Sequence, residues 1–255
     1  FAVEMRLWDA IDEGFLCPFH YFGIHDETDL SNISWKNGSY VQEELTNVYT
    51  ANDVWVSKVL KEIHTKIADP HEMRALGFCV NINHAEFMAK KFTDEGINAV
   101  AITSRSELDR ADAIEDLRSG EIQAIFSVDI FNEGVDIPNI DVVLMLRPTE
   151  SSTIFLQQLG RGLRKIAGKN ILTVLDFVGH QNKQFRFDLR YRRMLGRTRN
   201  ELLKDIETDF PYLPAGCEFE LDYVTQKIVL ENVKNSLPNK KNHKLNELKE
   251  IGDVT

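Results

Sequence analysis

The sequence predicts an α/β protein with a three-layer, doubly wound and mostly parallel sheet, because two patterns agree. Short runs of apolar and β-branched residues recur along the middle of the chain and are typical of strands buried on both faces. Between them lie helical stretches that begin at polar capping residues and end at glycine. Such alternation is typical of a parallel sheet covered by helices on both faces. A length of 255 residues, with 43% hydrophobic and 27% charged residues, suits a globular chain of this class.

The predicted elements alternate in order from residue 75 to residue 178. The strands are ALGFCVNI (75–82), INAVAIT (97–103), IQAIFSV (122–128), a strand within 135–146, and ILTVLDFV (171–178). Asn83 is expected to cap the first intervening helix and Ser106 the second, while Gly96 and Gly120 end them. A further helix is predicted for SSTIFLQQLGRGLRKIAG, before the last strand.

The flanks depart from this alternation, and we divide the chain accordingly. Residues 1–72 are expected to hold a connector helix, an edge strand at PFHYFGI and a loop leading into the helix VWVSKVLKEIHTKI. Residues 73–180 form the predicted α/β domain. Residues 181–255 are expected to be a basic helical extension and the start of a further C-terminal region.

The charge is unevenly distributed over the chain, whose net charge is −10. Residues 147–199 contain 12 Lys and Arg against three Asp and Glu, so this stretch carries +9 and the remainder −19. Such asymmetry indicates an anion site on an acidic body. A solvated helix face is the alternative interpretation of residues 185–199.

Cysteine use and hydropathy predict a cytoplasmic protein. The three cysteines are far apart and lack CxxC spacing, so reduced thiols are expected in place of disulfides or a zinc site. No apolar run approaches the roughly 20 residues of a membrane span.

The acidic stretch IHDETDL (24–30) is similar to the acidic boxes that hold Mg²⁺ in nucleotide hydrolases. Such a box works with a phosphate-binding loop, and the chain contains no GxxxxGK[ST] motif. We therefore expect Asp26, Glu27 and Asp29 to form a solvated turn after an edge strand, without a catalytic role.

The stretch QQLGRGLRK (157–165) places Arg161 and Arg164 three residues apart, so a helix would present both on one face. Glycine inside a helix costs roughly 1 kcal/mol against alanine, so Gly160 and Gly162 predict close packing. The planar guanidinium group matches phosphate oxygens. A surface helix with scattered arginines is the alternative interpretation of this stretch.

Other polar side chains follow the predicted strands, where open α/β sheets bind ligands. Hydroxyl, amide and guanidinium groups at these positions suit the phosphates of a nucleic-acid backbone. These residues are Asn83, Thr103, Ser104, Arg105 and Ser127.

Taken in order, these stretches resemble the second RecA-like domain of superfamily 2 helicases over residues 74–180. The stretch 75–92 resembles motif IV of that family, and 127–138 resembles motif V, although Ser127 stands where Thr is usual. Motif VI, Q-x-x-G-R-x-x-R, is matched by Gln157, Gly160, Arg161 and Arg164. The flanks RLWDAIDEGFLCPFHYFGI and FPYLPAGCEFELD resemble large bacterial DEAD/DEAH-type helicases related to restriction-enzyme motor subunits.

The resemblance implies a role for each of these residues. Arg161 and Arg164 would be the catalytic arginine fingers, and Gly134, Asp136, Gln157 and Gly160 would belong to the nucleotide site. The polar residues at the strand ends would contact one nucleic-acid strand. ATP and Mg²⁺ would be bound mainly by the first RecA-like domain, which this sequence lacks, so the chain alone is expected to be inactive. The implied partners are that first domain, in the same protein, and nucleic acid, with DNA favoured.

Two other functions are left open by the sequence. A self-sufficient nucleotide- or phosphate-binding enzyme is disfavoured by the missing phosphate-binding loop. A non-enzymatic interaction module would use the same arginines to dock an acidic partner protein.

Overall fold

The structure is a computed structural model that describes residues 5–50, 52–106, 109–128, 140–166 and 168–236. Its strands are β1 (Phe19–Asp29), β2 (Trp35–Lys36), β3 (Ser39–Tyr40), β4 (Ala75–Phe78), β5 (Ala99–Ala101), β6 (Ala124–Ser127), β7 (Val142–Met145), β8 (Leu172–His180) and β9 (Glu218–Leu221). Its helices are α1 (Leu7–Asp12), α2 (Gln42–Tyr49), α3 (Asp53–Lys66), α4 (Ile82–Asp94), α5 (Arg110–Ser119), α6 (Ser152–Gly160), α7 (Phe187–Leu195), α8 (Arg199–Glu207) and α9 (Tyr223–Asn235). Two predicted site residues, Gly134 and Asp136, lie outside the described residues.

Seven strands form one parallel sheet in the order β5-β6-β4-β7-β8-β1-β9. The fold class predicted from the sequence is thereby confirmed, with helices around a parallel RecA-like sheet. The central strands are buried over their whole length, as the apolar runs predicted. None of the helices that the structure describes is long and apolar enough to cross a membrane.

The expected edge strand is present as β1, but its predicted position is wrong. β1 lies between β8 and β9, so Phe22 is opposite Leu175 on one side and Glu220 on the other. The outer neighbour, β9, comes from the C-terminal segment, about 200 residues later in the chain. Strand order is decided by such long-range pairing, so a local pattern could not place β1.

Two predicted helix caps are also wrong, each by a few residues. Asn81, not Asn83, caps α4, since its side-chain oxygen accepts a hydrogen bond of 2.9 Å from the amide of His84. Asp109, not Ser106, caps α5. The Ser106 hydroxyl instead donates to the carbonyl of Ala101 on the edge strand β5 at 2.8 Å. Several polar residues near each helix start compete for the cap, and the sequence alone does not rank them.

Part of the C-terminal extension is anchored to the sheet by a buried ion pair. Arg190 of α7 and Asp176 of β8 are separated by 2.5 Å, and each side chain is only 2% exposed. Tyr21 of β1 also donates to Asp176, and Arg190 donates to the Tyr191 hydroxyl at 3.0 Å. The alternative of a solvated helix face for residues 185–199 is therefore wrong at Arg190.

Candidate nucleotide and nucleic-acid site

The carboxyl ends of four neighbouring strands form one edge of the sheet. Because β5, β6, β4 and β7 are parallel and adjacent, the residues that follow them lie on the same side of the domain. Asn83 is the second residue of α4, which follows β4, Thr103–Arg105 follow β5, and Ser127 ends β6. The structure therefore brings the predicted nucleic-acid contacts to a common edge.

The loop after β5 presents two of these residues to solvent. Ser104 and Arg105 are exposed, as is Asn83 in the first turn of α4. Thr103 is nearly buried and holds the loop in a tight turn, because its hydroxyl accepts a hydrogen bond of 3.1 Å from the amide of Arg105. The amide of Thr103 donates to the Ser106 hydroxyl at 2.8 Å. Thr103 thus shapes the turn that Ser104 and Arg105 occupy.

Ser127 differs from the other predicted contacts, because its exposure is 0%. Its hydroxyl has no hydrogen-bond partner among the described residues, and its carbonyl accepts from the amide of Cys79 at 2.8 Å. A buried hydroxyl without a partner costs free energy, so the Ser127 hydroxyl is suited to a further hydrogen bond.

Helix α6 carries two of the candidate nucleotide residues, Gln157 and Gly160. It begins at a cap, where the Ser151 hydroxyl accepts a hydrogen bond of 3.3 Å from the amide of Ile154. Gln157 is half-buried, whereas its neighbour Gln158 is buried and accepts a hydrogen bond of 3.2 Å from Thr149. Gly160 is exposed, and a Cβ atom there would meet no other atom within 4 Å. Among the residues that the structure describes, the packing predicted for Gly160 is therefore absent.

The two arginines do not share a helix face, which corrects the prediction from their spacing. The helix ends at Gly160, Arg161 is its C-cap, and Arg164 forms an isolated antiparallel bridge with Leu16, just before β1. Arg161 is half-buried and Arg164 is exposed. Glycine at 160 and 162 weakens the helix, and pairing with the N-terminal segment takes the chain out of it. Gly162 does pack closely, since a Cβ atom there would overlap the side chain of Leu172.

A third arginine, Arg110, interacts with Arg161 through its charge, although the sequence did not single Arg110 out. Burial lowers the pKa of Arg110, and the charge of Arg161 lowers it further. Arg110 is the first residue of α5, directly after the loop that carries Ser104 and Arg105. In the sequence, the capping residue Asp109 is the one local signal that α5 begins at Arg110. No sequence pattern links Arg110 to Arg161. The guanidinium groups of Arg110 and Arg161 interact electrostatically, and like charges that interact favour an anionic ligand.

The acidic stretch at the end of β1 is partly as expected. Glu27 and Asp29 are exposed, as expected, but Asp26 is only 5% exposed. All three residues lie within β1, so the prediction of a turn after the strand is wrong. The Asp26 carboxylate accepts hydrogen bonds of 2.9 Å from the indole of Trp55 and from the amide of Thr28. Burial raises the pKa of Asp26. Among the described residues, no group of three or more acidic, His or Cys side chains could hold a metal ion.

Comparison with known proteins identifies the family. Residues 56–165 match the family model described as "Helicase conserved C-terminal domain". A Saccharomyces cerevisiae protein named as an ATP-dependent helicase, IRC3, is 30% identical over 172 residues, which cover 67% of this chain and 25% of that protein. The matched segment is a superfamily 2 helicase C-terminal domain.

Two further comparisons are consistent with this helicase domain. The UvrABC system protein B of Thermotoga maritima is 25% identical over 149 residues, 53% of this chain and 22% of that protein. The structure of the ATP-dependent Type ISP restriction-modification enzyme LlaBIII bound to DNA has a TM-score of 0.54 at 13% identity, over 98% of this chain and 19% of that one. This structural likeness shows the fold alone. The chain spans about a quarter of the length of the two curated relatives.

Proposed function

We propose that this domain is the C-terminal half of the motor of an ATP-dependent superfamily 2 helicase or translocase that acts on DNA. Arg161 and Arg164 act as arginine fingers on ATP held by the first RecA-like domain of the same protein. In this role they donate to phosphate oxygens and stabilise the negative charge that develops during hydrolysis. The observation that carries the proposal is the motif VI sequence at the end of α6, in a segment that belongs to the helicase family.

The described residues would act at the phosphate end of a nucleotide, whose Mg²⁺ would be bound mainly by the first RecA-like domain. The charges of Arg161 and Arg110 interact, which supports a site for phosphate oxygens. Gln157 and Gly160, on the same helix, would position the finger segment against the partner domain. Gly134 and Asp136 would couple the nucleotide to the nucleic acid.

The same proposal assigns Asn83, Thr103, Ser104, Arg105 and Ser127 to one nucleic-acid strand. The exposed groups of Asn83, Ser104 and Arg105 would contact phosphates without reading the base sequence, whereas Thr103 and Ser127 are buried beside them. Such contacts allow a domain from an acidic chain to bind an acidic polymer.

The decisive test is to replace either arginine by alanine in the intact protein. We expect kcat for nucleic-acid-stimulated ATP hydrolysis to fall on the order of 10²-fold or more, with little change in KM. Lysine should not restore activity, because an ammonium group lacks the fork of a guanidinium. Arg118→Ala is the matched control, since Arg118 is an exposed arginine that pairs with Glu115 on α5.

Thermal melting of the same variants in the 255-residue chain separates catalysis from stability. Melting temperatures close to wild type are expected. A large fall in melting temperature, with normal turnover per folded molecule, would show that the arginines are structural. Normal turnover with lost salt-dependent binding to a protein partner would favour the interaction module.

Nucleic-acid binding is tested with Arg105→Ala in the intact protein. If Arg105 neutralises one phosphate, the variant should bind single-stranded DNA of any sequence more weakly, and the slope of log K against log salt should fall by about 1. Fluorescence anisotropy at several salt concentrations measures this slope, with single-stranded RNA as the comparison. An unchanged slope would remove Arg105 from the interface, and tighter binding to RNA would overturn the preference for DNA.

A further inference from the structure

The backbone between the two arginines is held by Cys17, which is distant in sequence, and by Lys169, which follows a few residues later. Three consecutive carbonyl oxygens, those of residues 162–164, all accept hydrogen bonds from Cys17 and Lys169. The Cys17 thiol donates to the carbonyl of Gly162 at 3.5 Å, and the Cys17 amide donates to the carbonyl of Leu163 at 2.9 Å. The Lys169 ammonium donates to the carbonyl of Gly162 and, at 3.5 Å, to that of Arg164.

These contacts lie in a well-packed part of the molecule. Cys17 is 1% exposed, and burial raises the pKa of its thiol, which therefore stays protonated and able to donate. On the opposite side, Gly162 packs directly against Leu172. Leu16 bridges to Arg164, and its amide donates to the carbonyl of Ala10 in α1 at 3.1 Å. The finger segment is therefore enclosed between β8 and the N-terminal segment.

The last carbonyls of α6 accept from the amides that follow the helix, since Arg161, Gly162 and Leu163 donate to Gln158, Leu159 and Gly160. The next three carbonyls, those of residues 162–164, accept from Cys17 and Lys169, so the dihedral angles of the finger segment depend on both residues. A finger must be correctly placed to stabilise a transition state, and a displacement of about 1 Å can lower the rate roughly 10²-fold. Partners that fix the backbone therefore contribute to turnover without touching the nucleotide.

We propose that Cys17 and Lys169 are positioning residues that fix Arg161 and Arg164 for ATP hydrolysis, an inference that rests on the proposed function. Both lie outside residues 56–165, the stretch that matches the helicase family. The N-terminal segment is thereby part of the hydrolytic machinery.

The test uses the intact protein and the variant Lys169→Met, which keeps most of the aliphatic chain and removes the donor. We expect kcat for DNA-stimulated hydrolysis to fall roughly 10- to 100-fold with KM nearly unchanged. Lys169→Arg should retain much of the activity, because a guanidinium can still donate to carbonyl oxygens. Cys17→Ala should lower kcat less, because its amide still donates to Leu163. Lys66→Met is the control, since Lys66 is a half-buried lysine that pairs with Glu220 on β9.

A double-mutant cycle with Arg161→Ala identifies the cause of any loss. If Lys169 acts through the arginine, Lys169→Met should cost little further activity once Arg161 is alanine. An equal loss in both backgrounds, together with a lower melting temperature, would show a merely structural role and overturn the inference. If Arg161→Ala lowers kcat but Lys169→Met does not, the inference fails while the proposed function stands. If Arg161→Ala itself has no effect, the proposed function fails first.

Discussion

At the scale of single residues, His84 shows how burial changes a side chain that looks functional in the sequence. It lies in the first turn of α4, at the carboxyl edge of the sheet, yet it is completely buried against the rings of Tyr49 and Trp55. Its Nδ1 accepts a hydrogen bond of 3.2 Å from the amide of Val80, and burial lowers its pKa to about 3. His84 is therefore a neutral core residue at physiological pH.

This shifted pKa predicts a loss of stability in mild acid. The unfolded chain binds a proton at His84 near the ordinary pKa of 6.5, whereas the folded chain does so only near 3. Stability is therefore fully present above pH 6.5 and falls as the pH decreases towards 3, at up to about 1.4 kcal/mol per pH unit. Between pH 7 and 5.5, the wild type should lose about 1 kcal/mol more than His84→Gln in urea unfolding. Equal losses in the two proteins would exclude His84 as the cause.

Arg190 provides the second prediction at this scale. Although burial disfavours its charge, the Asp176 carboxylate raises the pKa of Arg190, and the guanidinium also lies 4.6 Å from the ring of Phe155. Arg190→Met leaves Asp176 buried without its cation, so we expect the free energy of unfolding to fall by about 3–5 kcal/mol. Lys234→Met, which breaks the exposed pair with Glu207, should cost less than about 1 kcal/mol.

Urea unfolding of the 255-residue chain measures both variants. Replacing both partners, as Arg190→Met with Asp176→Leu, should restore much of the lost stability, because no buried charge is then left alone. A double variant less stable than Arg190→Met would contradict this account of the pair.

At the scale of elements, the two glycines of motif VI have different physical roles. Gly162 allows the backbone to approach Leu172, whereas Gly160 meets open space at the end of α6. We expect Gly162→Ala to destabilise the 255-residue chain by about 1–3 kcal/mol through overpacking. Gly160→Ala should be neutral or stabilising, by up to about 1 kcal/mol, because alanine favours the helix.

Chemical denaturation of both variants tests this contrast within one motif. Equal destabilisation would mean that α6 requires glycine at both positions. If Gly160 faces the nucleotide or the partner domain, as proposed, Gly160→Ala should lower ATP hydrolysis by the intact protein without lowering stability.

At the scale of the whole molecule, segments from both ends of the chain complete one sheet. β1 from the N-terminal segment and β9 from the C-terminal segment extend the strands of residues 73–180, and α7 supplies the partner of Asp176. A fragment of residues 73–180 would expose β8 as an edge and leave Asp176 without Arg190. We expect it to lack the cooperative unfolding transition of the 255-residue chain. Circular dichroism during urea titration measures this, and a cooperative transition in the fragment would contradict the prediction.

The sequence by itself determined the α/β class, most strands and the motif VI residues, because periodicity, capping and motif spacing are local properties of a chain. It could not place β1 inside the sheet, end α6 at Gly160 or bury Asp26 and Arg190. Each of these depends on a partner outside the local sequence pattern, such as β9 beside β1, Cys17 beside Gly162, and Trp55 beside Asp26. Burial and hydrogen bonding are set by such contacts, and only the tertiary structure brings the partners together.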